Sequence, residues 1–150
     1  MNTNTPSSAD PIGDIADAFV DALRKARAIA LSDPAVGGSA GVYLRDLFGR
    51  LGIAEIVAAK AIYQKSGVAA ADAVGRGDVD LAMTFIPELL QGKGVRILGP
   101  LPPLYGHATT YVAGVSAYSS LGDAAQAFIA ALIAPDAAGV WKAAGFHPGP

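Results

Sequence analysis

The sequence predicts an α/β fold in which a mainly parallel sheet is flanked by helices. Three observations predict it. Apolar residues repeat at helical spacing in several segments, short apolar runs lie between these segments, and glycine or proline separates one element from the next. Strands that alternate with helices along a chain are typical of a parallel sheet.

Composition limits the classes of function. The chain has 150 residues, of which 52% are hydrophobic and 16% charged, enough for a folded core. A net charge of −2 with scattered basic residues argues against a nucleic-acid partner. With no cysteine and two histidines, we expect no disulfide, no metal site and no cofactor.

The N-terminal residues are polar, and the sequence has no apolar run long enough for a membrane helix. We therefore expect no membrane insertion. The chain as written is expected to be cytoplasmic, or periplasmic if it is a processed or truncated form. Residues 1–13 are predicted to be a flexible arm, because Asn, Thr, Ser, Pro and Asp dominate them, and residues 14–150 are predicted to be a single α/β domain.

The first elements are a helix and a buried strand. The helix is predicted from Asp14, with a stripe of apolar residues that ends near Ala26. The run from Ala28 to Leu31 predicts the strand. A second helix follows a glycine-rich stretch and is expected to stop at Gly52.

The middle of the chain continues the alternation. The segment "IAEIVAAKAIY" predicts a helix followed by a strand, and Ser66 is the expected N-cap of a third helix that ends at Gly75 and Gly77. Val79 to Phe85 predicts another strand, and "PELLQGKG" a turn or short helix. The segments "VRILGPLP" and "TTYVAGVSA" predict two more strands, and the C-terminal segment is helical with a break at Pro135.

The stretch "SDPAVGGSAGVYLRDLFGRLG" is the first candidate for a binding site. A helix N-terminus carries free N–H groups and partial positive charge, and small residues before it let an anion approach. Ser39, Ala40 and Gly41 are therefore candidate ligand contacts, and Ser39 is also a possible N-cap. The alternative is a tight strand-to-helix turn without a ligand.

Further candidates lie at the next helix start and strand end. Gly67 and Val68 begin the third helix, where an ordinary capped start is the alternative. Thr84 lies at the end of a strand, where open α/β sheets bind ligands. Glu88 is a candidate acid or base or a solvated residue, and His107 lines a pocket or is exposed and inert.

Four segments in this order resemble a known family: "AIALSDPAVGGSAGVYLRDLFGRLGI", "AAADAVGRGDVDLAMTFIPELL", "GVRILGPLPP" and "AAQAFIAALIAPDAAGVWKAAGF". They resemble the type 2 periplasmic solute-binding proteins, specifically the molybdate-binding-like branch. The resemblance implies that Ala40 to Tyr43 lies at an oxyanion, with another backbone donor near Gly67. It also implies a tyrosine where this chain has Phe85, which suits a larger, partly apolar ligand better than molybdate.

Members of that family have two lobes with the ligand between them. The resemblance covers the second lobe and the C-terminal return into the first, so the leading part of the first lobe is expected to be missing. The sheet would then have an exposed edge or face. We therefore expect a homodimer or another protein partner that completes the lobe.

Three functions remain open. The first is binding of a small anion or organic carboxylate at the glycine-rich helix start, as in the substrate-binding proteins of ABC transporters. The second is isomerisation of a small polycarboxylic acid, for which Glu88 and His107 are the candidate bases. The third is a non-catalytic relic of the family that binds a partner subunit.

Overall fold

The computed structural model describes residues 11–147. The predicted flexible arm lies outside the described residues up to residue 10, and the first helix begins at Pro11. The described chain forms two compact units, one that ends at His107 and one that starts at Ala108, and each is described on its own. The single domain expected over residues 14–150 stays a prediction.

The first unit confirms the α/β fold class. Its helices are α1 (Pro11–Lys25), α2 (Ser39–Arg50), α3 (Ala54–Ala58), α4 (Gly67–Gly75) and α5 (Ile86–Leu89). Its strands are β1 (Ile29–Ser32), β2 (Ala61–Gln64) and β3 (Leu81–Met83). Two short 3₁₀ turns cover Pro34–Val36 and Pro103–Tyr105.

The three strands form a parallel sheet in the order β2-β1-β3. Ile29 pairs with Ala61 on one side and with Leu81 on the other. All four residues of β1 are buried, because this strand has a neighbour on each edge and helices on both faces. A central strand of a parallel sheet is therefore a continuous run of apolar residues, and Ala28 to Leu31 is such a run.

Alternate residues of β1 point into two different clusters of the core. Ile29 and Leu31 belong to the larger cluster, which α1, α2 and α3 complete; its other members are Leu23, Leu44, Leu47, Phe48, Ile53 and Val57. Ala30 belongs to a smaller cluster with Ala70, Ala73 and Val79, so α4 lies close to the other face of the sheet. The small side chains of that second cluster permit the close approach.

The helix boundaries mostly follow the sequence signals. Helix α2 ends before Gly52, whose φ of 65° is the left-handed conformation that favours glycine after a helix. Ser66 caps α4 as predicted, since its Oγ accepts the Ala69 N–H at 3.1 Å. The N-cap of α2, however, is Gly38 with no side-chain hydrogen bond, so the prediction of Ser39 as the cap is wrong by one residue.

Two strand predictions are wrong. Neither "VRILGPLP" nor "TTYVAGVSA" forms a strand in the structure, and the strand expected from Val79 to Phe85 is only three residues long. A strand needs a hydrogen-bonded neighbour, and the described part of the sheet does not pair with either segment. The first segment instead packs Leu101 against the larger core cluster and buries Pro102.

The second unit contains α6 (Gly122–Leu132) and α7 (Ala138–Ala143), joined by a 3₁₀ turn at Pro135–Ala137, which confirms the predicted break. The indole N–H of Trp141 donates to the Leu132 carbonyl at 2.7 Å and ties the two helices together. No single helix in residues 11–147 has the length and apolar character of a membrane span. One pair, Gly122–Leu132 with Pro135–Ala143, does so jointly but is bent by 55°.

Candidate functional site

The candidate site lies at the carboxyl edge of the sheet, where β1 and β3 end side by side. Ser32 is the last residue of β1, and Thr84 directly follows β3. Their hydroxyl oxygens are 3.4 Å apart. Strand order reverses here, because the chain runs from β1 to β2 on one side and then crosses to β3 on the other. Open α/β sheets bind ligands in the crevice at such a switch point.

The loop from β1 to α2 is folded by local hydrogen bonds. Asp33 Oδ1 accepts the Ala35 N–H at 2.8 Å and forms the turn at the start of this loop. Gly37 then adopts a φ of 82°, which leads the chain out of the 3₁₀ turn. The loop therefore needs no ligand to hold its shape.

The start of α2 packs directly against the end of β1. A Cβ on Gly41 would lie 2.1 Å from the Ser32 carbonyl oxygen, so only glycine permits this approach. Ala40 is buried beside it, whereas Ser39 is exposed. Among the described residues, no side chain hydrogen bonds to the first N–H groups of this helix.

The start of α4 differs, because a carboxylate of the chain already occupies it. The Gly67 N–H donates to Glu88 Oε1 at 3.1 Å, and the Thr84 hydroxyl donates to Glu88 Oε2. A Cβ on Gly67 would lie 2.1 Å from both Thr84 Oγ1 and Glu88 Oε2. A side chain at this position would displace the Glu88 carboxylate and the Thr84 hydroxyl, so glycine preserves this contact, and Glu88 is no solvated helix residue.

Tyr43 and His107 form a separate aromatic group. Their rings are stacked with centroids 4.3 Å apart and planes at 11°, and the Tyr43 hydroxyl donates to the Tyr105 carbonyl at 2.8 Å. The Arg50 guanidinium lies 5.8 Å from the centre of the Tyr43 ring. Tyr105 in turn contacts Phe19, with centroids 5.8 Å apart. These contacts hold the loop that ends at His107 against α1 and α2.

The remaining candidates, Phe85 and Val68, lie at the starts of two helices. Phe85 is the half-buried N-cap residue of α5, and Val68 is half-buried in the first turn of α4. Ser32, with 6% of its surface exposed, is the residue that sequence reasoning missed. A serine that ends an apolar strand immediately before a glycine-rich loop was the available signal, since strand ends define the site in α/β sheets.

Charged groups away from this edge of the sheet stabilise the fold. Lys60 Nζ donates to the carbonyls of Arg24 and Ala26 at 2.7 and 2.8 Å, so it caps the end of α1. The Arg27 guanidinium hydrogen bonds to Asp80 and lowers the pKa of that carboxyl. Among residues 11–147, no group of His, Asp and Glu is arranged to hold a metal ion.

Comparison with known proteins places the chain in a family. The model for the bacterial extracellular solute-binding protein family matches residues 2–147. The chain is 33% identical over 135 residues to an aconitate isomerase from Pseudomonas sp, which covers 89% of this chain and 50% of that protein. The chain thus spans about half the length of this curated relative.

No solved structure matched the chain. The family model covers nearly all of the sequence, and it includes the glycine-rich loop, the start of α4 and the end of β3. A parallel sheet flanked by helices is consistent with one lobe of a solute-binding protein. The chain belongs to the family of bacterial extracellular solute-binding proteins.

Proposed function

We propose that the chain binds a small organic carboxylate at the start of α2, on the carboxyl edge of the sheet. The observation that carries this proposal is the contrast between the two helix starts. The chain's own Glu88 occupies the start of α4, whereas the start of α2 has no side-chain cap. Free N–H groups and the helix dipole stabilise an anion there.

A substitution at Ser39 tests the site. Because Ser39 is exposed at the first position of α2, aspartate there places a fixed negative charge beside the proposed ligand. Like charges about 5 Å apart near a surface repel by about 1–3 kcal/mol, which corresponds to a loss of affinity of about fivefold to 150-fold. The same aspartate favours the helix dipole, so the fold is expected to keep its stability.

The measurement is a calorimetric titration of five anions into the wild type, Ser39→Asp and Ser39→Asn. The anions are acetate, lactate, succinate, citrate and molybdate. Binding of a carboxylate by the wild type and Ser39→Asn, and its loss in Ser39→Asp, supports the proposal. If no acid binds the wild type, the proposal fails. If Ser39→Asp binds as well as Ser39→Asn, the ligand lies elsewhere. Preference for molybdate would support the molybdate-binding-like branch, which stays a prediction, as does service to an ABC transporter.

A second candidate function is isomerisation of a polycarboxylic acid. The relative named aconitate isomerase favours it, and Glu88 accepts a hydrogen bond from the Thr84 hydroxyl at the switch point. A carboxylate in such a place is a suitable base for proton abstraction. The test follows cis- and trans-aconitate by NMR in D₂O, with the wild type and Glu88→Gln. Turnover that Glu88→Gln abolishes supports this candidate, and absence of turnover with the wild type refutes it.

We also propose a protein partner, with a second copy of the chain as the first to be tested. In the second unit, Phe128, Ile133 and Val140 are each more than 60% exposed, an apolar surface that soluble chains usually cover. In the first unit, Ile62 and Tyr63 are exposed on strand β2 at the edge of the sheet. Light scattering at micromolar concentration tests this proposal, and a monomeric mass would refute the homodimer.

A further inference from the structure

Glu88 supplies an internal anion at the start of α4. Its two carboxylate oxygens accept hydrogen bonds from the Gly67 N–H and from the Thr84 hydroxyl. Thr84 and Glu88 lie so close to Gly67 that a side chain there would displace them. The favourable place for an anion at this helix start is therefore filled by the protein itself.

The directions of the hydrogen bonds determine what this cluster presents to a ligand. A carboxylate only accepts, so the single hydroxyl proton of Thr84 is committed to Glu88. Thr84 Oγ1 is then available to Ser32 as an acceptor across their 3.4 Å separation. The remaining hydrogen-bonding capacity of Ser32, Thr84 and Glu88 consists of oxygen lone pairs. Such a surface attracts N–H and O–H groups and repels a second carboxylate.

The start of α2 presents the opposite chemistry. Its first N–H groups are donors without a side-chain cap. Ser32 connects the two regions, because its carbonyl lies against Gly41 of α2 and its hydroxyl faces Thr84. A donor surface and an acceptor surface therefore meet at one residue of the strand end.

We infer that Glu88 determines the specificity of this site, which selects acids carrying one carboxylate and a neighbouring hydroxyl or ammonium group. This inference rests on the proposed function. The carboxylate of such a ligand accepts hydrogen bonds from the first N–H groups of α2. Its hydroxyl or ammonium group donates to the oxygen atoms of Ser32, Thr84 and Glu88. A ligand with a second carboxylate at that position faces the charge of Glu88 and binds less well.

Calorimetric titrations of lactate and succinate into three proteins test the inference. The wild type is expected to bind lactate about tenfold more tightly than succinate, because lactate lacks the second carboxylate that would face the charge of Glu88. Glu88→Gln keeps the shape of the side chain and an acceptor for the Gly67 N–H, and it should bring the ratio of the two affinities close to one. Glu55→Gln removes an exposed charge on α3 and should leave the ratio unchanged.

NMR of the wild type supplies a second measurement if Glu88→Gln fails to fold. Lactate should shift the amides of Ser39, Ala40 and Gly41 and leave that of Gly67 unshifted, since its partner is Glu88. Comparable shifts at Gly67, a wild-type preference for succinate, or an unchanged ratio in a folded Glu88→Gln would each overturn the inference. If lactate binds but the ratio does not change, the inference alone fails. If neither acid binds the wild type, the proposed function fails with it.

Discussion

Substitution of Gly41 by alanine should destabilise the protein although alanine is the better helix former. A Cβ at this position would lie 2.1 Å from the carbonyl oxygen of Ser32 and 3.0 Å from its carbonyl carbon. Because both are backbone atoms, the helix itself must move by about 1 Å or more to restore an ordinary contact distance.

The magnitude follows from two opposing terms. Overpacking of a tight contact costs about 1–3 kcal/mol, and replacing glycine by alanine in a helix gains at most about 1 kcal/mol. We therefore expect a net loss of about 1–2 kcal/mol, and a fall in Tm of about 2–8 °C for a chain of this size. The displaced start of α2 should also weaken carboxylate binding.

Gly49→Ala is the matched control, because it makes the same chemical change in the same helix. A Cβ on Gly49 would meet nothing within 4 Å. Helix propensity alone then applies, and the variant should gain about 0.5 kcal/mol. Urea unfolding followed by circular dichroism at 222 nm compares the two variants with the wild type. If Gly41→Ala stabilises the protein as Gly49→Ala does, the close approach of α2 to β1 is refuted.

Three further predictions concern the scaffold. Hydrogen bonds from Arg27 lower the pKa of Asp80, so their stabilisation is complete above the ordinary carboxyl pKa of about 4 and is lost as pH falls below it. The difference in stability between the wild type and Asp80→Asn should therefore shrink in acid. Unfolding curves at several pH values measure this difference. Lys60→Met removes the cap of α1 and should cost about 1–2 kcal/mol in the same unfolding assay. Tyr43→Phe removes the hydrogen bond to Tyr105 and should cost about 1 kcal/mol, with faster amide exchange in the loop that ends at His107.

Each of these predictions has a control. Arg27→Met should show the same loss of pH dependence as Asp80→Asn, and a difference that persists in acid contradicts the ion pair. Lys65→Met changes an exposed lysine and should leave stability within about 0.5 kcal/mol of the wild type. Tyr118→Phe alters a fully exposed tyrosine and should change neither stability nor exchange. Equal effects of Tyr43→Phe and Tyr118→Phe would contradict the role of the loop contact.

Local patterns predicted the elements that local physics determines. An apolar stripe predicted α1, Gly52 predicted the end of α2, and Ser66 predicted the cap of α4. Each of these features depends on residues within a few positions of one another, either through helical periodicity or through short-range hydrogen bonds.

Features that depend on distant neighbours could not be predicted in this way. The segments 95–102 and 109–117 have the composition of strands, but a strand exists only where another strand pairs with it. The contact of Glu88 with Gly67 joins residues 21 positions apart, and no pattern along the chain specifies it.

The sequence by itself determined the fold class, the family resemblance and the location of the glycine-rich loop before α2. Only the tertiary structure decided the role of each glycine there and at α4. Gly41 is required because a backbone carbonyl from β1 lies against it, whereas a side chain at Gly67 would displace the side chains of Glu88 and Thr84. The physical reason is that a position needs glycine when atoms from distant parts of the sequence lie where a side chain would be. The same packing placed an anion at one helix start and left the other without a cap.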